Sequence, residues 1–263
     1  MIATITSILT LSLRHRLRSD RTKKEGCLLF SHESIYRDQA DRYDKLIGKQ
    51  PSLAGPIRAI RNWRGLDVAD LGAGTGRLAC MMAPEAKSLV CTDASAAMLA
   101  VLEKKLRSLR LANWRTVVAD HRRIPLADAS VDLTIAGWTF CYLASADVPD
   151  WERNTERMIG EVRRLLRPDG TSVIIETLGT GTGRPAPPGF LQPYYRLLED
   201  RYGYTRIEVP LDYRFDDSEE AEELTAFFFG EDVSRRVARN GWSSVPEFAG
   251  IWYKHGGAPS IKG

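Results

Sequence analysis

From about residue 65 onward, short apolar runs alternate with longer stretches of helical periodicity. "LDVADL" is an apolar run broken by Asp67 and Asp70, which predicts a strand, and "GRLACMMA" predicts a helix continuing to Pro84. "KSLVCTD" predicts a second strand ending in Asp93. In "SAAMLAVLEKKLRSL", Met98, Leu102, Leu106 and Leu109 share one helical face. "WRTVVAD" gives a third strand ending in Asp120, and "VDLTIAGW" a fourth. "WERNTERMIGEVRRLL" carries Trp151, Met158, Val162 and Leu165 on one stripe, and "RPDG" stops it. Arg163, Arg164 and Arg167 suit the negative end of that helix dipole. "TSVIIE" is a fifth strand.

Strands alternating with helices predict an α/β fold, a doubly wound, mostly parallel sheet with helices on both faces. Crossovers are then right-handed, and ligands bind beyond the carboxyl ends of the strands. Asp70, Asp93, Asp120, Trp138 and Glu176 all fall at or near those ends.

The flanks depart from this alternation. "SHESIYRDQADRYDKLIG" predicts a helix capped by Ser31 or Ser34, and "AGPIRAIRNW" a second, with Ile57, Ile60 and Trp63 at helical spacing. Downstream, "TLGTGTGRPAPPGF" is long for a loop, and 177–190 is expected to be a lid. "LQPYYRLLEDRYG" reads as helical and "TRIEVPLDYRF" as strand-like. "DSEEAEELTAFFFGEDVSRRVARNG" forms a helical pair within an insert spanning 212–245, and "EFAGIWYKHG" a closing strand. The expected organisation is a basic, disordered extension over 1–30 followed by one domain over 31–263.

Charge narrows the function classes. The net charge of +3 arises in residues 1–24, where Arg14, Arg16, Arg18, Arg21, Lys23 and Lys24 face Asp20 alone. The remaining chain carries 31 basic and 33 acidic groups, a balance that argues against nucleic acid as partner. The extension has its charges after its apolar stretch, the reverse of a secretory signal. A cytoplasmic location is expected, or a mitochondrial one if the extension is a transit peptide. Cys27, Cys80, Cys91 and Cys141 make no CxxC pair or zinc-like cluster, so no metal is expected. No apolar run is long enough to span a bilayer.

"VADLGAGTGRLA" places Gly72, Gly74 and Gly76 at alternate positions between a strand and a helix. A P-loop needs Gly-Lys-Ser/Thr, but Arg77 and Leu78 follow Gly76; the dinucleotide fingerprint needs its third glycine where Arg77 stands. Alternate glycines instead permit a turn, a close backbone approach to a ligand and a helix starting beside it.

This stretch resembles motif I of the class I S-adenosylmethionine-dependent methyltransferases, small-molecule members among them. "VVADHRRIPLADASVDLTIAGW" and "EVRRLLRPDGTSVIIE" resemble later segments of the same family, in the same order, and the likeness covers roughly 35–180. The resemblance implies a Rossmann-like seven-stranded sheet with an antiparallel C-terminal strand. It implies S-adenosyl-L-methionine as cofactor, its amine held by Asp70 and its methionine and ribose lined by Gly72, Gly74 and Gly76. Asp93 would accept from the ribose hydroxyls, and Met98 would pack on the adenine. Asp120 would accept from adenine N6, with His121 beside it. The backbone of Gly137 and Trp138 would face the reacting sulfur, and Tyr43 would close over the cofactor. Duller roles compete: Met98 as plain core, Asp70 as a turn cap, Tyr43 as packing, His121 as a solvent-exposed side chain.

The implied reaction is methyl transfer to a small molecule. No base is legible; Glu176, His121, Tyr142 and His255, at the last strand's end, are the weak candidates for a catalytic role. The insert's aromatics and the Tyr194–Tyr195 pair could line an apolar substrate pocket or merely seal the insert onto the core. The organisation is similar to enzymes acting on quinones, lipids or secondary metabolites, and "AGWTFCYL" replaces the Asn-Pro-Pro-Tyr signature of amino-group methylation on nucleic acids and protein glutamine. The alternatives are an RNA methyltransferase and a non-catalytic cofactor-binding subunit. A nicotinamide dehydrogenase is disfavoured by Arg77.

Overall fold

A computed structural model describes residue 32 and residues 34–256. The basic extension, Ser31 and Cys27 lie outside the described residues. The fold is an α/β sandwich around a seven-stranded sheet of order β3-β2-β1-β4-β5-β9-β6. The strands are β1 Asp67–Leu71, β2 Ser88–Asp93, β3 Trp114–Val118, β4 Val131–Gly137, β5 Leu166–Thr180, β6 Thr205–Pro210 and β9 Glu247–His255. Strands β1 to β5 pair in parallel, whereas β9 runs antiparallel between β5 and β6. A two-residue ribbon, β7 Tyr213–Arg214 with β8 Ser244–Val245, stands apart. The order reverses beside β1, so the switch point where ligands bind falls between β1 and β4.

Every residue of β1 is buried, as a central strand covered on both faces must be. Its alternate side chains feed two cores. Val68 joins Leu53, Ile57, Trp63, Met82 and Leu102 on one face. Ala69 and Leu71 join Met158, Val162, Tyr194 and Trp252 on the other. The helices covering the sheet include α1 Ala40–Ile47, α2 Ala54–Ile60, α3 Ala79–Met82, α4 Ala96–Ser108, α5 Cys141–Ala144 and α6 Trp151–Leu165. After them come α7 Gln192–Arg196, which runs into a π turn at Leu197–Arg201, and the insert helices α8 Ser218–Phe229 and α9 Glu231–Asn240.

Several expectations shift. The helix after the glycines is only one turn, Ala79–Met82, because positive φ angles at Gly72, Gly74 and Gly76 hold the chain out of helix. Leu109 does not share the buried face: α4 ends at Ser108, and Leu109, its C-cap, is 45% exposed. Trp63 lies beyond α2 yet is fully buried under the guanidinium of Arg58. Residues 177–180, the start of the expected lid, continue β5 and pair with β9.

A third, small core ties the insert to α1 through Leu46, Tyr213, Phe215, Leu224 and Val237. Arg42–Glu223 and Lys45–Glu220, both 2.7 Å, and Lys49–Glu220 at 2.6 Å reinforce this contact. The N-terminal helix and the insert are therefore packed together as one roof over the carboxyl ends of β1 and β4. Among the described residues no helix is long and apolar enough to cross a membrane.

Candidate functional site

A cavity of about 500 Å³ lies under that roof and takes lining from the glycine loop, β4, β5, β9 and the insert. Gly72 and Gly74 line it. Gly72 is closed on its other side, because a Cβ there would overlap the side chain of Thr139. Gly76 turns inward, where a Cβ would overlap Leu102. Only Gly74 has room, its nearest neighbour being Met98 Cε at 3.5 Å. Two of the three alternate glycines thus answer to internal packing and a left-handed backbone, and one to an open approach. Asp44 of α1 clamps the loop by accepting from Thr75 Oγ1 at 2.7 Å and pairing with Lys105.

Three buried carboxyls line the cavity. Asp70 ends β1 with both oxygens buried and without a side-chain partner among the described residues, the Ala79 N–H lying close by. Burial, then the charge of Asp93, pushes its pKa up to about 8. Glu176 of β5 accepts the Cys141 N–H at 3.0 Å through Oε1 and leaves Oε2 free. Glu247 of β9 accepts from Thr177 Oγ1 at 2.9 Å, has the Thr180 hydroxyl beside it, and leaves Oε2 without a well-formed bond among the described residues. Burial pushes the pKa of each up to about 8. Buried polar atoms are nearly always paired, so these orphans mark where ligand groups belong.

The roof is aromatic. Tyr43 packs edge-on to Tyr36 at 5.1 Å and against Phe228 at 5.2 Å. Tyr142 bonds Tyr36 through the two hydroxyls, and His32 Nδ1 lies 3.2 Å from the Tyr142 hydroxyl. His32 stacks on Phe228 at 4.3 Å while its Nε2 bonds the Phe228 carbonyl at 3.0 Å. Phe228 and Phe229 therefore line the cavity. The Tyr194–Tyr195 pair does not: Tyr195 donates to the Thr177 carbonyl at 2.8 Å and packs on Trp252 at 4.4 Å, which seals the outer sheet.

The remaining predicted residues scatter. Gly137 and Trp138 line the cavity; Trp138 sits at φ +51° with its N–H on the Ile175 carbonyl at 2.7 Å. Asp93 accepts from Gly74 N at 2.9 Å and Ser95 N at 2.8 Å, which fixes the glycine loop against the start of α4. Met98, buried, flanks Gly74. Asp120 is exposed, and its carboxylate is already held by Arg122, whose Nε donates at 2.9 Å. His121 is buried, not solvent-exposed. Its Nε2 bonds Thr139 Oγ1 at 2.8 Å, and burial pushes its pKa down to about 4, so the ring is neutral.

His255 stands at the wrong end of the sheet. Because β9 is antiparallel, its last residue pairs with Thr171, near the start of the parallel strands' direction, and bonds Thr171 Oγ1 at 3.1 Å. The same reversal brings the first residue of β9, Glu247, to the cavity instead. An antiparallel closing strand should have pointed to its N-terminal acid. Arg77 was also passed over. Its guanidinium stacks on Trp138 at 4.4 Å, bonds Gln50 and lines the cavity. Among the described residues no His/Cys/Asp/Glu cluster could hold a metal.

Comparison with known proteins follows the same lines. The Methyltransferase domain family matches residues 69–174. The ubiquinone/menaquinone biosynthesis C-methyltransferase UbiE of Rubrivivax gelatinosus is 29% identical over 142 residues, 54% of this chain and 49% of that one. The malonyl-[acyl-carrier protein] O-methyltransferase of Geobacter sulfurreducens is 27% identical over 220 residues, 82% of this chain and 70% of that one. The match thus spans about half of the first relative and more of the second. The crystal structure of the YcgJ protein of Bacillus subtilis superposes with a TM-score of 0.51 at 16% identity, covering 78% of this chain and 98% of that one, a likeness of fold alone.

Proposed function

We propose that the chain is a class I S-adenosylmethionine-dependent methyltransferase, as its match to the methyltransferase domain family and its relatives support, and that it methylates a small apolar molecule held under the aromatic roof. One observation carries this reading: the Asp70 carboxyl is buried without a side-chain partner on the same cavity as Gly74, which alone of the three alternate glycines has an open face. That is a socket for a cationic amine next to a bare backbone, and it fits the methionine end of the cofactor.

The cofactor supplies a sulfonium-activated methyl group when bound. Asp70 ionises to hold the amine. Asp93 holds the glycine loop through Gly74 and offers its carboxylate to the ribose hydroxyls. Gly137 and Trp138 form the floor with main-chain atoms, a conformation that Trp138 keeps at positive φ. Tyr36, Tyr142 and Phe228 exclude water, and orientation in a dry site lowers the barrier by several kcal/mol, up to about ten. Glu176 holds its proton until about pH 8, so Oε2 donates to an acceptor oxygen or exchanges a proton with it near neutrality.

An apolar acceptor of quinone, lipid or secondary-metabolite type suits this lining. The quinone and acyl-carrier relatives support the class while differing in acceptor. Free thiols at Cys80, Cys91 and Cys141 are in keeping with a reducing, cytoplasmic setting.

The test is calorimetric titration with S-adenosylhomocysteine, then a metabolite-extract screen, with S-adenosylmethionine, for products heavier by one methylene. Tight binding that Asp70→Asn weakens supports the reading. Absence of binding, or wild-type affinity in both Asp70→Asn and Asp93→Ala, overturns it.

A further inference from the structure

Asp70 aside, four polar side-chain atoms on residues lining the cavity have no partner among the described residues and no role above: Arg77 Nη2, Arg236 Nε, Thr182 Oγ1 and Glu247 Oε2. They come from four places far apart in sequence: the glycine loop, α9 of the insert, the loop after β5 and the start of β9. Contacts gather them. Thr180 pairs in register with Glu247, and its carbonyl accepts from Arg236 Nη2 at 3.3 Å. Gly181 donates to the Pro246 carbonyl at 2.7 Å, which holds Thr182 close to β9. Arg77 lies near enough to Glu247 for their charges to interact, yet they form no ion pair. A buried guanidinium left without a carboxylate when one is nearby implies that something else belongs between them.

We propose that this wall is the anchor for a carboxylate on the methyl acceptor, so that the substrate is a small apolar carboxylic acid. The inference rests on the reading that acceptor and cofactor share this cavity. Three of the four free atoms are donors, two of them on guanidiniums, and a carboxylate accepts several hydrogen bonds at once. Glu247, neutral until about pH 8, presents a fourth donor instead of a repelling charge. With Glu247 neutral the wall carries the two guanidinium charges, so it attracts a monoanion, and the aromatic roof accommodates the apolar remainder. The two guanidiniums draw charge from the carboxylate and make it a poor nucleophile. It serves as the handle, and methyl transfer takes place elsewhere on the molecule.

The experiment uses the full chain saturated with S-adenosylhomocysteine. Benzoate, phenylacetate, 3-phenylpropanoate and octanoate are titrated beside their primary amides, with binding read by ligand-observed NMR. At least one acid should bind at least about tenfold more tightly than its amide, the scale of one charge-assisted hydrogen bond. Arg236→Met and Thr182→Val should each remove most of that preference while leaving S-adenosylhomocysteine affinity unchanged, which also shows that both variants are folded. Arg236→Lys should retain part of it. Three results overturn the proposal: no acid binds to the loaded chain; acids and amides bind alike; or Arg77→Met weakens S-adenosylhomocysteine and not the acid, which assigns Arg77 to the cofactor. Failure of the wild-type chain to bind S-adenosylhomocysteine is a separate outcome. It removes the methyltransferase reading and this inference with it.

Discussion

Thr139 stands where a side chain on Gly72 would begin: its Oγ1, Cβ and Cγ2 all overlap the place of a Cβ there, and the same Oγ1 bonds His121 Nε2 at 2.8 Å. The glycine loop after β1 is therefore locked to the loop after β4 by a threonine and a buried neutral histidine. Gly72→Ala must pay for φ +75° as well as the overlap. The left-handed backbone alone costs about 1–2 kcal/mol. Chemical denaturation should show a loss larger than that, and Thr139→Ala in the same chain should recover only the excess. A stable Gly72→Ala variant would remove the packing explanation.

Asp93 has two tasks that a pair of variants separates. Asp93 accepts from Gly74 and Ser95 through different oxygens, so Asp93→Asn keeps an acceptor for one of the two N–H groups and loses the charge, whereas Asp93→Ala loses both acceptors. Affinity for S-adenosylhomocysteine should fall in the order wild type, Asn, Ala, with the last lower by about 1–3 kcal/mol. Calorimetry measures it, and equal affinity in all three removes Asp93 from the cofactor site.

Asp70 is protonated in the free protein up to about pH 8, and a bound ammonium favours its charged form. Binding of S-adenosylhomocysteine at pH 6.5 should therefore release a proton from this residue. The binding enthalpy will then differ between phosphate and imidazole buffers by a fraction of the difference in their ionisation heats. Asp70→Asn should abolish that fraction. A buffer-independent enthalpy in the wild type contradicts the assignment.

Glu176 and Glu247, together with Asp70, make stability fall as pH rises. Each glutamate titrates at about 8 in the fold against an ordinary value of 4.5, so between these limits the folded chain holds more protons than the unfolded one. Stability is then full below pH 4.5 as far as these two groups are concerned, and it declines as pH rises through 8. Thermal unfolding from pH 5 to 9 should show melting temperature falling with pH, and Glu176→Gln and Glu247→Gln should each flatten the slope. A melting temperature that rises across that range contradicts the assigned burial.

Part of the cavity lining was legible before the fold. Asp70 and Glu176 stand on it because acids ending apolar runs stand at strand ends, and parallel strands carry those ends to one side; Asp93, at the end of β2, braces Gly74 and Ser95. Trp138 followed from the same rule, and Gly137 from the family resemblance. His255 was misplaced by applying that rule to β9, whose direction is opposite. Asp120 was placed at the right strand end, but Arg122, two residues on, captures its carboxylate. His121 could not be judged exposed or buried from sequence, because its cover comes from Thr139 and Phe140, 18 and 19 positions away.

The sequence by itself determined the strands, the helices and the acids at their ends, because side-chain periodicity acts over a few residues and needs no distant partner. The tertiary structure alone decided which of those groups meet. Glu247 reaches the cavity only through the antiparallel pairing of β9, and Arg236 and Phe228 only through the packing of the insert on α1. It also decided that Gly72 and Gly76 face Thr139 and Leu102. Such contacts join segments tens to hundreds of residues apart, and their energy comes from burial in one shared core, which no local pattern records.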